Sequence, residues 1–218
     1  MFIYSNLAMS LDGKIATAQR TLFPLGTAED LHQMKVLRKG CDALLMGAST
    51  LRVFKNPCLI PNQVGQPINI LVSSSLENIS PSWRFFTDSA IQRILFVGPK
   101  TEKAKLKKFS ASSEVVVLKT QSARNPIAKQ ITRYLEAKKI NRLLVEGGGE
   151  IMWNFVSQGL IDEFHVTLTP KILGGSQSPT LVDGEGFKPA NIAHLTLRQC
   201  RIVGDELYLT YGKKNENK

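Results

Sequence analysis

Cysteine is scarce in this 218-residue chain, and its number is odd. Cys41, Cys58 and Cys200 stand far apart, which fits reduced, packed thiols rather than a disulfide framework. Histidine is as sparse. His32, His165 and His194 form no H-x-x-x-H or H-x-E pair, and Pro57-Cys58 has no second cysteine at ligand spacing, so zinc chemistry, zinc deamination included, has no support and no metal is expected. No apolar run reaches the length of a membrane span. The opening Met-Phe-Ile-Tyr-Ser-Asn-Leu-Ala lacks the basic and apolar regions of a secretory signal, so a cytoplasmic protein is the expectation. Acidic residues are also short, 18 against 28 Lys and Arg, leaving a formal charge of +10. Lys100, Lys103, Lys105, Lys107 and Lys108 crowd one expected exposed helix, and Lys213, Lys214 and Lys218 lie in a polar tail at 213–218. Without interleaved aromatics, solvated faces explain this excess better than nucleic-acid binding.

What is present reads as a globular α/β domain over 1–212, with 43% hydrophobic residues and no internal repeat or linker. Strand-like runs at Phe2 to Ala8, Ala43 to Met46, Ile68 to Val72, Ile94 to Val97, Val115 to Leu118 and Leu143 to Val145 alternate with helical segments. Thr27-Ala-Glu-Asp30 is an N-cap signature for a helix running to about Lys39 and ended by Gly40, and Pro126 to Lys138 supplies another helix. A long polar loop is expected between Met46 and Ile68. Such alternation predicts a mostly parallel central sheet. Glu163 to Leu168 is a further strand, 170–189 is a Gly/Pro/Ser-rich excursion, and Leu195 to Val203 faces Glu206 to Tyr211 across Gly204-Asp205 as an antiparallel C-terminal hairpin.

The most informative segment is Leu143 to Leu160. A β-favouring run ends in Glu146 and three glycines, and Ile151, Met152, Phe155 and Val156 then share one helical face. Glycine allows close backbone approach, and the first turn of a helix offers unpaired N–H groups to an anion, so a phosphorylated cofactor is the first expectation. The spacing matches neither G-x-G-x-x-G nor a P-loop, and a tight strand-to-helix turn without ligand is the alternative. In open parallel sheets, ligands bind beyond the carboxyl ends of the strands. That rule gathers Asp12 to Lys14, Gly47 to Thr50, Ser73 to Ser75, Gly98 and Glu146 to Gly149 onto one rim.

Five motifs then line up in order: Ala8-Met-Ser-Leu-Asp12-Gly-Lys14-Ile-Ala-Thr17; Leu37-Arg38 with Asp42-Ala-Leu-Leu-Met-Gly47-Ala-Ser-Thr50; Val145-Glu146-Gly-Gly-Gly149; Leu160-Ile-Asp-Glu163; and Pro170-Lys-Ile-Leu-Gly-Gly175. Across essentially the whole chain they resemble the reductase domain of riboflavin biosynthesis. The resemblance implies a dihydrofolate-reductase-like fold, NADPH as cofactor, a homodimer, and reduction of a ribosylamino-pyrimidine 5′-phosphate to its ribitylamino product. It implies catalytic or substrate contacts at Lys14, Glu146 and Asp12, substrate contacts at Arg38 and Leu59, and cofactor contacts at Gly47, Thr50, Ser74, Gly148, Gly149, Glu150 and Ile151. Read as residues alone, Glu146 can instead be a helix N-terminal acid, Lys14 a solvated loop lysine, Asp12 an Asx-turn former and Arg38 a cap for its helix. The chain departs from the pattern at Leu22-Phe23-Pro24, at Lys55-Asn56-Pro57 and at Asn62, where an arginine is often found; Arg20, Arg52 and Lys55 are the cations available in its place. Another pteridine, pyrimidine or carbonyl substrate, or a non-catalytic nucleotide-binding role, remain the alternatives.

Overall fold

The computed structural model describes residues 1–122 and 125–214. Its strands are β1 (Phe2–Ser10), β2 (Ala43–Gly47), β3 (Ile68–Ser73), β4 (Arg93–Val97), β5 (Glu114–Val117), β6 (Arg142–Val145), β7 (Glu163–Thr169), β8 (Leu195–Val203) and β9 (Glu206–Lys213). The helices are α1 (Ala28–Lys39), α2 (Ala48–Phe54), α3 (Arg84–Thr87), α4 (Lys103–Ser110), α5 (Ile127–Ala137) and α6 (Gly149–Val156). The strands form one sheet in the order β5-β4-β3-β2-β6-β1-β7-β9-β8. The first seven positions are parallel, and β9 and β8 close the edge antiparallel, turning at Gly204, which takes φ +59°.

Alternation along the strands sorts the core into two layers. Leu45, Ile70, Phe96 and Val145 face Ile131 and Leu135 of α5 and Met152 and Phe155 of α6. Leu44, Met46, Leu71 and Leu95 face Leu51 of α2, Phe85 and Phe86 of α3 and Phe109 of α4. Helix α1 crosses the same side as this second layer but buries no residue fully. The sheet beneath it is therefore free to carry polar side chains.

Two expectations are corrected. The polar loop after Gly47 contains α2, so Thr50 sits on a helix; seven residues are too few for a helical period to stand out in sequence. Thr27 is the N-cap of α1 but makes no side-chain cap bond, because its hydroxyl instead donates to Glu206 at 2.8 Å. The expected tail begins inside β9, where Lys213 pairs with Asp162 at 2.6 Å, and residues 215–218 lie outside the described residues.

Candidate active site

Because β1, β2, β3, β4 and β6 are parallel, their carboxyl ends share one edge, and the rim expected from sequence forms there. At its centre the β6 chain divides into two functions. Glu146 extends the ladder, its N–H donating to the Leu45 carbonyl at 2.9 Å, and sends its side chain toward α1. The next three glycines turn into α6.

Glycine is required in that turn. Gly147 takes φ +83°, and its carbonyl accepts the Gly47 N–H at 2.8 Å, so two strand ends meet backbone to backbone. A Cβ on Gly149 would lie 2.3 Å from Asp183 Oδ2 and 2.6 Å from the Thr180 carbonyl. One on Gly148 would meet nothing closer than Ser49 Oγ at 3.6 Å and Thr50 Oγ1 at 3.9 Å. The open side of Gly148 is thus a hydroxyl-lined cradle at the N-terminus of α6, whose first turn holds Glu150 and Ile151. Further along the rim, Gly98 passes the Ser74 carbonyl so closely that a Cβ would sit 2.4 Å from it, and Thr101 Oγ1 donates to the same carbonyl at 3.1 Å.

On the α1 side, Arg38 grips Glu146 with two parallel bonds, Nε to Oε1 at 2.8 Å and Nη2 to Oε2 at 2.6 Å. The two side chains are only 15% and 11% exposed. Burial alone would lower the Arg38 pKa, but the carboxylate overcomes it and drives the guanidinium well above its already high value. Cys41 donates to the Arg38 carbonyl at 3.1 Å, and Cys58 Sγ lies 4.0 Å from Glu146 Oε2. Burial first, and the Glu146 charge second, push both thiols up to about 12, so neither is a nucleophile at neutral pH. Buried Asn69 fixes Cys58 through both backbone groups, at 2.7 and 3.3 Å, and so holds Leu59, the next residue, along this wall.

The family model for the RibD C-terminal domain matches residues 1–209. The chain belongs to that family. A relative named 2,5-diamino-6-ribosylamino-4(3H)-pyrimidinone 5′-phosphate reductase, from Methanothermobacter thermautotrophicus, is 31% identical over 98% of both chains. The riboflavin biosynthesis protein RibD of Bacillus amyloliquefaciens is 28% identical over 96% of this chain but 56% of its own length, so this chain spans about half of that relative. Among solved structures, a pyrimidine reductase-like protein from Corynebacterium diphtheriae superposes with a TM-score of 0.84, at 21% identity over 99% of this chain and 92% of that one. A dihydrofolate reductase from Enterococcus faecalis complexed with NADP(H) gives a TM-score of 0.54 at 15% identity, over 98% and 97%, and shares the fold.

The remaining expected residues of this RibD-type domain lie on the β1 loop. Ser10 donates to Asp12 Oδ1 at 2.6 Å, and the N–H groups of Leu173 and Gly174 donate to Asp12 at 3.1 and 2.7 Å. Those bonds, the Ser10 hydroxyl first, hold the Asp12 carboxyl down at about 2. It is a carboxylate at neutral pH with no proton to give, and it ties the β1 loop to the loop after β7. Lys14 is half-buried, bridges to Thr180 through its backbone, and points Nζ toward the Ser178 carbonyl at 3.5 Å. The expected residues therefore group into a β1 loop, an α1-side wall and a glycine cradle.

Two contributors escaped sequence reasoning. Asn6 follows Ser5, which pairs with Val145, so it stands across from Glu146; it is 9% exposed, and its Oδ1 is buried without a hydrogen-bond partner among the described residues. Its signal was an amide inside the otherwise apolar start of β1. The other is the 178–183 segment. Pro179 accepts the Ile15 N–H at 2.9 Å, and the Asp183 N–H donates to the Gly149 carbonyl at 3.1 Å, so this part of the excursion closes the gap between the Lys14 turn and α6. Among the described residues no three His, Cys, Asp or Glu side chains gather as a metal site.

Proposed function

We propose that this chain is an NADPH-dependent reductase of a ribosylamino-pyrimidine 5′-phosphate, acting in riboflavin biosynthesis. The carrying observation is the meeting, at one strand end, of a carboxylate aimed under α1 and a glycine cradle aimed at the first turn of α6. The named relatives supply the substrate class, and the fold neighbour holding NADP(H) supports a nicotinamide cofactor.

The cofactor fits what is present. The open face of Gly148, the Ser49 and Thr50 hydroxyls and the N–H groups at Gly149 to Ile151 would hold its pyrophosphate; Gly47 and Ser74 continue that surface. When bound it supplies the hydride that reduces ribose C1′ once the sugar has opened to an imine. The protein's own residues hold the pyrimidine, orient the sugar and provide the one proton the reaction consumes. Glu146 accepts from the pyrimidine N–H edge, and Asn6 Oδ1 gives the same edge a second acceptor. Arg38 fixes the carboxylate's plane and leaves Nη1 to reach the substrate phosphate; Leu59 packs on the same side. Lys14 faces the sugar as donor and proton source, while Asp12 positions its loop.

Two neighbouring acceptors match the adjacent N–H and amino donors of the diamino-pyrimidinone better than a uracil edge, where one donor becomes a carbonyl. Purified protein given NADPH and each pyrimidine tests both claims. Oxidation faster with the diamino form is expected. Oxidation only with dihydrofolate or a simple carbonyl would favour another substrate, and binding of NADPH without any oxidation would favour a non-catalytic nucleotide-binding role.

We also propose a cytoplasmic location, which the three free cysteines support. A homodimer is supported by edge strand β8, which is exposed along nearly its whole length and carries Leu195, Leu197 and Ile202, and by Leu31 and Val36, both exposed on α1. Light scattering on the purified chain tests the dimer, and a monomer at micromolar concentration would refute it.

A further inference from the structure

Glu206, at the start of β9, is 1% exposed, and the proposed reaction gives it no task. Its carboxylate accepts the Thr27 N–H at 2.9 Å, the Thr27 hydroxyl at 2.8 Å and the Tyr208 hydroxyl at 2.5 Å. Thr27 joins the loop after β1 to α1, the helix that carries Arg38. Beside it, Lys171 Nζ donates to the Leu25 carbonyl, and the Asp30 side chain packs against Gly26, where an added Cβ would fall 2.3 Å from its Oδ2. Residues far apart in sequence thus form one polar knot under the base of the 18–27 loop.

Taking a carboxylate out of water is strongly unfavourable unless every lone pair finds a donor, and well-packed apolar residues commonly hold two elements together as firmly. What three directed bonds add is a fixed geometry. The loop they fix leaves the Lys14 turn, passes Ala18 against Gly175, and returns to Thr27 beside the carboxyl ends of β1 and β7. Leu25 is buried at its base, whereas Leu22 and Phe23 are 65% and 51% exposed. The loop is anchored at both ends and presents an apolar tip.

We infer that Glu206 is a positioning residue for the substrate half of the site: by clamping Thr27 it sets where Leu22 and Phe23 close on the pyrimidine. The inference rests on the proposed function for the identity of that ligand. Its test compares Glu206→Gln and Thr27→Val with the wild type, the second variant removing one donor while leaving the buried carboxylate in place. In the ligand-free full chain, amide exchange at Thr27 and Leu31, whose N–H groups donate to Glu206 and to the Thr27 carbonyl, is expected to quicken by about tenfold or more in either variant. The KM for the diamino-pyrimidine phosphate should rise about tenfold, with kcat less affected and the NADPH Kd within about twofold of wild type. The double variant should be no worse than the poorer single one, since both act through the same Glu206–Thr27 contact. Unchanged exchange would show that no clamp exists. Quickened exchange with an unchanged substrate KM, or with NADPH binding weakened by the same factor, would reduce Glu206 to a structural role and overturn the inference. A wild type with a protected Thr27 amide that oxidises no NADPH with either pyrimidine would instead overturn the proposed function, and the positioning role with it.

Discussion

Gly148 and Gly149 are adjacent in sequence, yet alanine at each should fail in a different way. At Gly149 the new methyl would lie 2.3 Å from Asp183 Oδ2 and 2.6 Å from the Thr180 carbonyl, and a backbone oxygen cannot swing aside as a side chain can. Overpacking of that kind costs about 1 to 3 kcal/mol. In a domain of this size each kcal/mol moves Tm by about 2 to 4 °C, so Gly149→Ala should melt roughly 2 to 12 °C below wild type. At Gly148 the backbone has φ −73°, which alanine adopts freely, and the methyl would stand 3.6 Å from Ser49 Oγ, an ordinary contact. Its Tm should stay within about 2 °C of wild type. The methyl does, however, occupy the cradle assigned to the cofactor. NADPH affinity should fall at least about tenfold, equivalent to 1.4 kcal/mol, while the pyrimidine substrate still binds. Calorimetric melting and fluorescence titration with NADPH read the two effects separately. Wild-type NADPH affinity in Gly148→Ala would refute the placement of the pyrophosphate, and an unchanged Tm in Gly149→Ala would refute the packing of the 178–183 segment against α6.

Glu146→Gln leaves the largely buried Arg38 charge beside a neutral amide, and losing one partner of such a pair costs about 2 to 5 kcal/mol. Steady-state kinetics should show kcat/KM for the pyrimidine down about a hundredfold or more, with NADPH Kd unchanged; full turnover would end the assignment of the pyrimidine contact. The Asp12 carboxyl is depressed to about 2 in the folded chain, below its ordinary value near 3.8. Its bonds therefore contribute fully above about pH 4 and are lost as pH falls toward 2. Amide exchange at Leu173 and Gly174 should accelerate in that window beyond its ordinary pH trend, and Asp12→Asn should abolish the acceleration. Thiol labelling at pH 8 followed by mass spectrometry should modify exposed Cys200 first, with Cys41 and Cys58 slow until the chain unfolds. Rapid labelling of Cys58 would contradict its burial against Glu146.

Signals confined to a few neighbouring residues were legible in the chain. The β-run, carboxylate and glycines at 143–149 specify a strand, a turn and a helix start within seven residues, and parallel alternation predicts which strand ends share a rim. Arg38 was legible as a cation near the site but not as the partner of Glu146, 108 residues away, because no local pattern states which acid a fork will meet. Thr27 shows the same limit more sharply. Its sequence context asks for an intrahelical cap, and the helix starts in register with that expectation, yet the hydroxyl goes to a carboxylate 179 residues downstream and makes no cap bond. A bond to a buried carboxylate is stronger than a neutral cap bond, and an unpaired Glu206 in the core would be far more unfavourable than an exposed helix end without a side-chain cap, so propensity does not decide between them. The same accounting singles out Asn6. Among the described residues its Oδ1, next to Glu146 in register, is a buried acceptor without a donor, and the proposed donor-bearing ring would supply one.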